Sequence, residues 1–254
     1  MKLRVLLARL KRQLLKKPFL KDAQYPPYWF QMVLGAKEAS IVQIGSNDGK
    51  TGDPLHQLLQ MNKNWKALFV EPVPYLYQRL QSNYKDSNRF RFENVAINNG
   101  DQLTFYWVNP NAKESLKDLP FWYDQLGSFD QDHIVKQLGD RIKPFILSEV
   151  LEGIQLDSLF KRNKIEQLDV LHIDTEGYDW KILSQLNLNK FEPSFILYEM
   201  NHLSKQEMNA SYQFLKDKYD LFHIGIDILA VSTKVEEQQR LKMSLTMKKY
   251  DSEL

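Results

Sequence analysis

Ile41-Val42-Gln43-Ile44-Gly45-Ser46-Asn47-Asp48-Gly49 is the stretch whose reading decides the fold. A short apolar run, Ser40–Ile44, stops at a glycine and opens into a glycine-bearing turn that lasts to Gly52, the pattern of a buried strand leaving a sheet. Asp53 followed by Pro54 has the form of a helix start, with a side-chain cap and then proline at the first helical position. Working outward, strand, turn and helix recur. Ala67–Val70 is a second strand, Pro74–Tyr84 a helix and Phe90–Ile97 a third strand. On the N-terminal side, an aromatic and proline-rich approach at Tyr25–Phe30 leads into a helix running to about Lys37.

Beyond the third strand the rhythm breaks. Gln102–Val108 alternates as a strand directly after the turn Asn98-Asn99-Gly100-Asp101, which predicts antiparallel pairing with its predecessor. Residues 109–145 form a long aromatic segment with one helix, His133–Leu138; excursions of this length in a compact domain are usually lids or binding loops. Alternation resumes with a strand near Ser148–Ile154, then helix Asp157–Lys161, strand Val170–Ile173, helix Asp179–Leu186, strand Phe195–Tyr198 and helix Gln206–Tyr219. The last runs, Leu221–Ile226 and Ile228–Val231, are too close for a crossover helix and pair antiparallel. The pattern is an α/β fold: a mostly parallel sheet, helices on both faces and an antiparallel edge. Three regions result: a basic N-terminal extension at 1–37, the α/β domain at 38–233 with a lid-like insertion at about 109–145, and a charged tail at 234–254 with no assigned structure.

The 254 residues, 43% apolar, suffice for one large domain. With no cysteine there is no disulfide framework, thiolate nucleophile or Cys-ligated metal, which fits a cytoplasmic location. No run reaches the roughly 18 apolar residues of a membrane-spanning helix. The net charge of +2 is uneven. Residues 1–21 hold eight bases and no acid, and the other 26 bases face 32 acids, so residues 22–254 carry −6. An acidic body is a poor polyanion-binding face, so no nucleic-acid partner is expected. In the leader Leu3, Leu6, Leu7, Leu10 and Leu14 recur at helical spacing. Such a helix either lies peripherally on the inner face of an anionic membrane or packs on the domain or a partner.

In a sheet of this kind ligands sit outside the carboxyl ends of the strands, where strand order reverses. The first turn, Gly45-Ser46-Asn47-Asp48-Gly49, is neither the G-x-G-x-x-G of a dinucleotide site nor a phosphate loop, and Asp48 favours a ligand bearing positive charge. Glu71, followed by Pro72, lies 22 residues past Gly49, close to the spacing at which an acid meets ribose hydroxyls. Together they favour an adenosine-bearing ligand that is not a dinucleotide.

Six blocks in order carry a family likeness: Ile41–Gly49, Glu71-Pro72-Val73-Pro74, Glu93–Ile97, Leu126–Asp130, His172–Tyr178 and Ile196–Glu199. Over about residues 40–202 the chain resembles the FkbM-type S-adenosylmethionine-dependent methyltransferases. The resemblance implies a class I methyltransferase (Rossmann-like) fold, with a seven-stranded, mostly parallel sheet and an antiparallel last strand. It further implies that Gly45, Ser46, Asn47, Asp48 and Gly49 line the methionine part of the cofactor, that Glu71 and Pro72 meet the ribose, that Asn94, Val95 and Ala96 flank the adenine, and that Asp174 also faces the cofactor. Where many class I enzymes have G-x-G, this chain has Gly45-Ser46-Asn47.

Asp174-Thr175-Glu176-Gly177 ends a strand at the expected cleft, where two carboxylates could orient a substrate hydroxyl, accept its proton or hold a divalent cation. The plainer alternative has Asp174 capping the next helix and Glu176 facing water. Glu199, Asn201 and His202 close the following strand toward the same rim, and Asp174, Glu199 and Asn201 would suit Mg²⁺. His133 and His202 are reserve bases, His172 is a buried side chain or a catalytic one, and His56 and His223 are structural. Tyr106, Trp107, Phe121, Trp122 and Tyr123 either stack on an acceptor ring or pack beneath a lid. The expectation is O-methylation of a hydroxyl on a carbohydrate-type or other small polar acceptor, with Asp174 and Glu176 positioning it. A nucleic-acid methyltransferase and a non-catalytic cofactor-binding scaffold are the alternatives.

Overall fold

The computed structural model describes residues 23–251; the basic leader of residues 1–21 lies outside them. Helix α1 (Pro26–Leu34) leads into β1 (Ala39–Ile44), α2 (His56–Met61), β2 (Trp65–Val70), α3 (Pro74–Asn83) and β3 (Phe90–Glu93). After the excursion come α6 (Leu156–Arg162), β7 (Val170–Ile173), α7 (Asp179–Leu183), β8 (Phe195–Glu199), α8 (Lys205–Leu215), β9 (Tyr219–Ile224) and β10 (Asp227–Ser232). The main sheet runs β3-β2-β1-β7-β8-β10-β9, parallel except for β10, which lies antiparallel between β8 and β9. The chain goes outward from β1 through β2 to β3, then returns to β7 on the other side of β1. That reversal opens a crevice at the carboxyl ends of β1 and β7.

Strand alternation divides the core into two layers. Ile41, Ala67, Phe69 and Leu197 point to one face, against Phe30, Leu58, Leu59 and Leu80 from α1, α2 and α3. Val42, Ile44, Leu68, Leu171 and Ile173 point to the other, against Leu159, Phe160, Ile182 and Leu215 from α6, α7 and α8. Burial on both faces explains why these strands read as continuous apolar runs.

Four local expectations are corrected. The Asp53 side chain accepts from the Leu55 N–H at 2.7 Å, holding a turn, so Asp53-Pro54 does not start a helix; the helix begins at His56. The third strand stops at Glu93, because the Asn94 side chain donates to the carbonyls of Glu71 and Pro72 and draws the chain across the strand ends. β4 (Gln102–Val108) does not pair with β3. It joins a separate antiparallel sheet with β5 (Gly127–Ser128) and β6 (Ile146–Glu152), so the strand expected near Ser148–Ile154 also leaves the main sheet. The turn before β4 closes on itself instead: Asn98 accepts from Gly100 and Asp101 and donates to Asp101.

Around the small sheet, a helical turn α4 (Ala112–Ser115) and helix α5 (Gln131–Leu138) enclose their own apolar cluster of Val108, Leu119, Leu126, Ile134 and Ile142. Phe105 and Trp107 reach past it to Val73 and Leu76, and so seat the small sheet on α3. The stretch after Lys234 folds as well. Helix α9 (Glu237–Thr246) buries Met243, and β11 (Lys248–Lys249) pairs with β9 as an eighth strand. Among the described residues no helix is long and apolar enough to cross a membrane.

Candidate active site

A cleft of about 430 Å³ opens at the β1/β7 reversal, with Gly45, Ser46, Asn47, Glu71, Pro72, Val95, Ala96 and Asp174 on its walls. The small sheet and its flanking segment contribute Phe105, Phe121, Trp122, Gln125 and Phe129. The loop after β1 is stitched to β2: Gly45 and Ser46 both donate to the Val70 carbonyl at 3.0 Å, and Ser46 Oγ accepts from Val70 N–H. Gly45 has φ 76°, and a methyl group there would lie 1.9 Å from the Asp174 carbonyl oxygen, so only glycine lets the loops after β1 and β7 meet. Asn47 is left-handed too, at φ 55°. Its N–H donates to Glu71 Oε2 at 2.7 Å and its side chain to the Gln125 carbonyl at 3.0 Å, so this one residue links the turn, the acid and the excursion.

Glu71 is 4% exposed, and Oε1 accepts from Val73 N–H at 2.9 Å. Burial pushes its carboxyl up to about 7, although both backbone donors favour the charged form. Asp48, Gly49 and Asn94 stand behind the cleft, not on it. Asp48 spends its carboxylate on Lys50, Thr51 and the Thr51 hydroxyl, and Gly49 packs under Leu80 and Tyr84.

The cleft is also lined by Gln43, Asp53 and His172, three polar side chains not expected as a group. Gln43 Oε1, Asp53 Oδ2 and His172 Nδ1 have no hydrogen-bond partner among the described residues. Burial raises Asp53 to about 7 and lowers His172 to about 4, so the imidazole is neutral near pH 7. The signal for them was Gln43 and His172 in otherwise apolar strands, paired across the β1–β7 ladder.

The loop after β7 is built around Asp179, which accepts from Thr175 Oγ1 at 2.9 Å and from Glu199 N–H at 3.2 Å. Asp174 is exposed on the cleft wall, and Glu176, left-handed at φ 54°, turns back into the protein. Glu176 Oε2 lies 3.1 Å from His133 Nε2 and 3.3 Å from His202 Nε2. Burial alone would raise the Glu176 carboxyl, but the hydrogen bonds and charges of the two imidazoles outweigh it and hold the group well below the ordinary range. Glu199, 3% exposed, is pushed well above it by burial and by the neighbouring carboxylates of Glu176, Asp174, Asp179 and Asp227. The sequence pointed to both histidines separately; α5 brings His133 to within 4.4 Å of His202, centroid to centroid.

Of the aromatic group, Phe121 and Trp122 line the cleft, with Trp122 Nε1 lacking a partner among the described residues. Trp107 packs against Phe105, Tyr123 donates to the Pro110 carbonyl, and Tyr106 lies against the small cluster. His56 contacts the Tyr84 hydroxyl, and His223 sits in β9.

The family profile described as the methyltransferase FkbM domain matches residues 43–223. No curated protein matches the chain. Solved structures that the chain matches include a METTL16 methyltransferase domain (11% identity, covering 81% of this chain and 65% of that one, TM-score 0.43). A Methanococcus jannaschii fibrillarin pre-rRNA processing protein gives 12%, 77%, 66% and 0.39. A precorrin-6y C5,15-methyltransferase from Geobacter metallireducens gives 11%, 76%, 79% and 0.37.

Proposed function

The chain belongs to the FkbM methyltransferase family, and within it we propose an O-methyltransferase that uses S-adenosylmethionine and a hydroxyl of a carbohydrate-type or other small polar acceptor. The observation that carries this reading is the buried Glu71 carboxylate on the cleft wall, held by two backbone N–H groups beside a turn that admits no Cβ at Gly45. Those two bonds leave lone pairs for a ribose diol. The remaining donor set fits the cofactor: Val95 and Ala96 offer an apolar wall for a purine, while Gln43 Oε1 and Asp53 Oδ2, both without partners among the described residues, complement an ammonium group. Bound S-adenosylmethionine supplies a methyl carbon made electrophilic by its sulfonium.

The protein's work is then alignment and proton removal. The residues of the cleft wall would hold an acceptor oxygen against the methyl carbon. A hydroxyl is a weak nucleophile near neutral pH, and a positioned base contributes about 10²–10⁴-fold. Asp174, exposed on the cleft wall, is the group we assign to accept that proton. Glu176 orients the acceptor, and His133 and His202, standing behind Glu176, keep it ionised. Both imidazoles present Nε2 to Glu176, which makes them positioning residues in this reading. Titration with S-adenosylmethionine should give one site. Asp174→Asn should keep that affinity and lower turnover about 10²–10⁴-fold; unchanged turnover refutes the base role.

Acceptor class, location and partners follow the same reading. We place the protein in the cytoplasm with a small-molecule or glycan acceptor, and residues 1–21 as its candidate contact with an anionic membrane.

A further inference from the structure

We propose that His133, Glu176 and His202, with Asp174 and Glu199 beside them, form a binding site for one divalent transition-metal ion of the Zn²⁺ or Mn²⁺ class. The donors come from three separate places: α5 in the excursion, the loop after β7, and the end of β8 with its following turn. His133 Nε2, Glu176 and His202 Nε2 offer donor atoms all within 4.8 Å of one another, and so do Asp174, Glu176 and Glu199. Donors held at 2.0–2.2 Å from one ion lie about 3.0–3.5 Å apart. The 3.1 Å and 3.3 Å separations of Glu176 Oε2 from the two imidazole nitrogens match that spacing. The two rings meet at 88°, and both Nε2 atoms face the same Glu176 oxygen.

A second observation asks for a cation independently of that spacing. Glu199 is 3% exposed, and neither of its oxygens has a hydrogen-bond partner among the described residues. Its Oε1 lies 3.6 Å from His202 Nε2, and the carboxylates of Glu176, Asp174, Asp179 and Asp227 press on it from around. Among the described residues the ion pairs of Glu176 and Glu199 are with histidine alone. A buried carboxyl group with no hydrogen bond to either oxygen is costly, and a bound cation relieves that cost. The histidine–Glu176 contacts could stand as a simple hydrogen-bonded cluster, but that arrangement leaves Glu199 unexplained.

The donor set decides the metal. Two imidazoles with carboxylates suit Zn²⁺, Mn²⁺ or Fe²⁺, whereas an all-oxygen site would suit Mg²⁺. This departs from the oxygen-only set of Asp174, Glu199 and Asn201. Asn201 Nδ2 lies 3.3 Å from His202 Nε2, so the amide neighbours a ligand instead of acting as one. Asp174 and Glu176 line the cleft, so the ion would be reached from it.

The ion would share Asp174 and Glu176 with the acceptor side of the cleft, so the test is one that needs no turnover. Full-length protein stripped with a chelator is titrated calorimetrically with Zn²⁺, Mn²⁺ and Mg²⁺ separately, and with S-adenosylmethionine in parallel. One Zn²⁺ per chain is expected, bound more tightly than Mn²⁺ and far more tightly than Mg²⁺. The double variant His133→Ala/His202→Ala should lose at least about 100-fold in Zn²⁺ affinity, and Glu199→Gln about 10–100-fold, while nucleoside affinity holds. Co²⁺ loading of the wild type gives a visible spectrum with nitrogen-ligand character that Glu199→Gln alters, a readout available if the double variant does not fold. Zn²⁺ binding below one per chain, or binding that persists unchanged in these variants, marks adventitious sites and overturns the proposal. Loss of S-adenosylmethionine binding with metal binding intact would instead count against the methyltransferase reading.

Discussion

If Glu71 grips the ribose as a carboxylate, nucleoside affinity must follow its ionisation. With the group pushed up to about 7 in the free protein, about one-eleventh of molecules are ionised at pH 6 and ten-elevenths at pH 8. Apparent affinity scales with the competent fraction, so the dissociation constant should rise about tenfold from pH 8 to pH 6. Hydrogen bonds from the diol favour the charged form, so binding at pH 6 should release close to one proton. Adenosine is the clean probe, because it carries the ribose without the cofactor's titratable amino acid. Calorimetry in buffers of different ionisation enthalpy counts the proton directly. Glu71→Gln should flatten the pH profile and, by removing bonds to a charged acceptor worth about 1.5–3 kcal/mol, weaken binding at pH 8 by about 10–100-fold. A flat wild-type profile, together with wild-type affinity in Glu71→Gln, would refute the ribose role.

Gly45→Ala should cost about 3 kcal/mol or more in urea unfolding, from the left-handed backbone and the collision with Asp174. Gly52→Ala, also left-handed but with nothing within 4 Å, should cost only about 1 kcal/mol; equal costs would mean the close approach is not what matters. Burial raises Asp53 and Glu71 to about 7 and Asp179 to about 6, so these groups hold protons more tightly folded than unfolded. Their contribution is full below about pH 4 and is lost as pH rises through 6 to 7, so stability should fall across pH 5–7. Asp53→Asn should flatten that slope by about 1 kcal/mol per pH unit, and an unchanged slope in urea titrations would remove Asp53 from the account. Deleting residues 1–21 should weaken sedimentation with anionic liposomes; equal sedimentation would end the membrane assignment.

β4 and β7 take the very bounds their alternation and apolar runs predict, and the β9–β10 hairpin forms as its short connection requires. What the sequence hid was pairing at a distance. β4 meets β6 some forty residues on, and nothing local in Gln102–Val108 distinguishes that partner from the nearer β3. Asp53-Pro54 misled because an Asp side chain serves a turn as readily as a helix cap. The tail carries no clear periodicity, although Met243, Met247 and Tyr250 are all buried. In the site, the place of Glu71 on the cleft wall was legible from its spacing taken together with the first turn. The meeting of His133 with Glu176 and His202 was not, since it depends on how the small sheet sits over the large one.

That seating has a kinetic consequence. At one end the small sheet rests on α3 through Phe105, Trp107, Val73 and Leu76, immediately after Glu71. At the other, His133 of α5 contacts Glu176, Gln137 contacts His202 and Phe129 packs against Tyr178. Parting two polar contacts and one ring pair is a lighter task than stripping four apolar side chains from one another, so the two ends are unequally held. The His133 end should therefore part first when the cleft opens, and amide hydrogens of α5 should exchange sooner than those of β4.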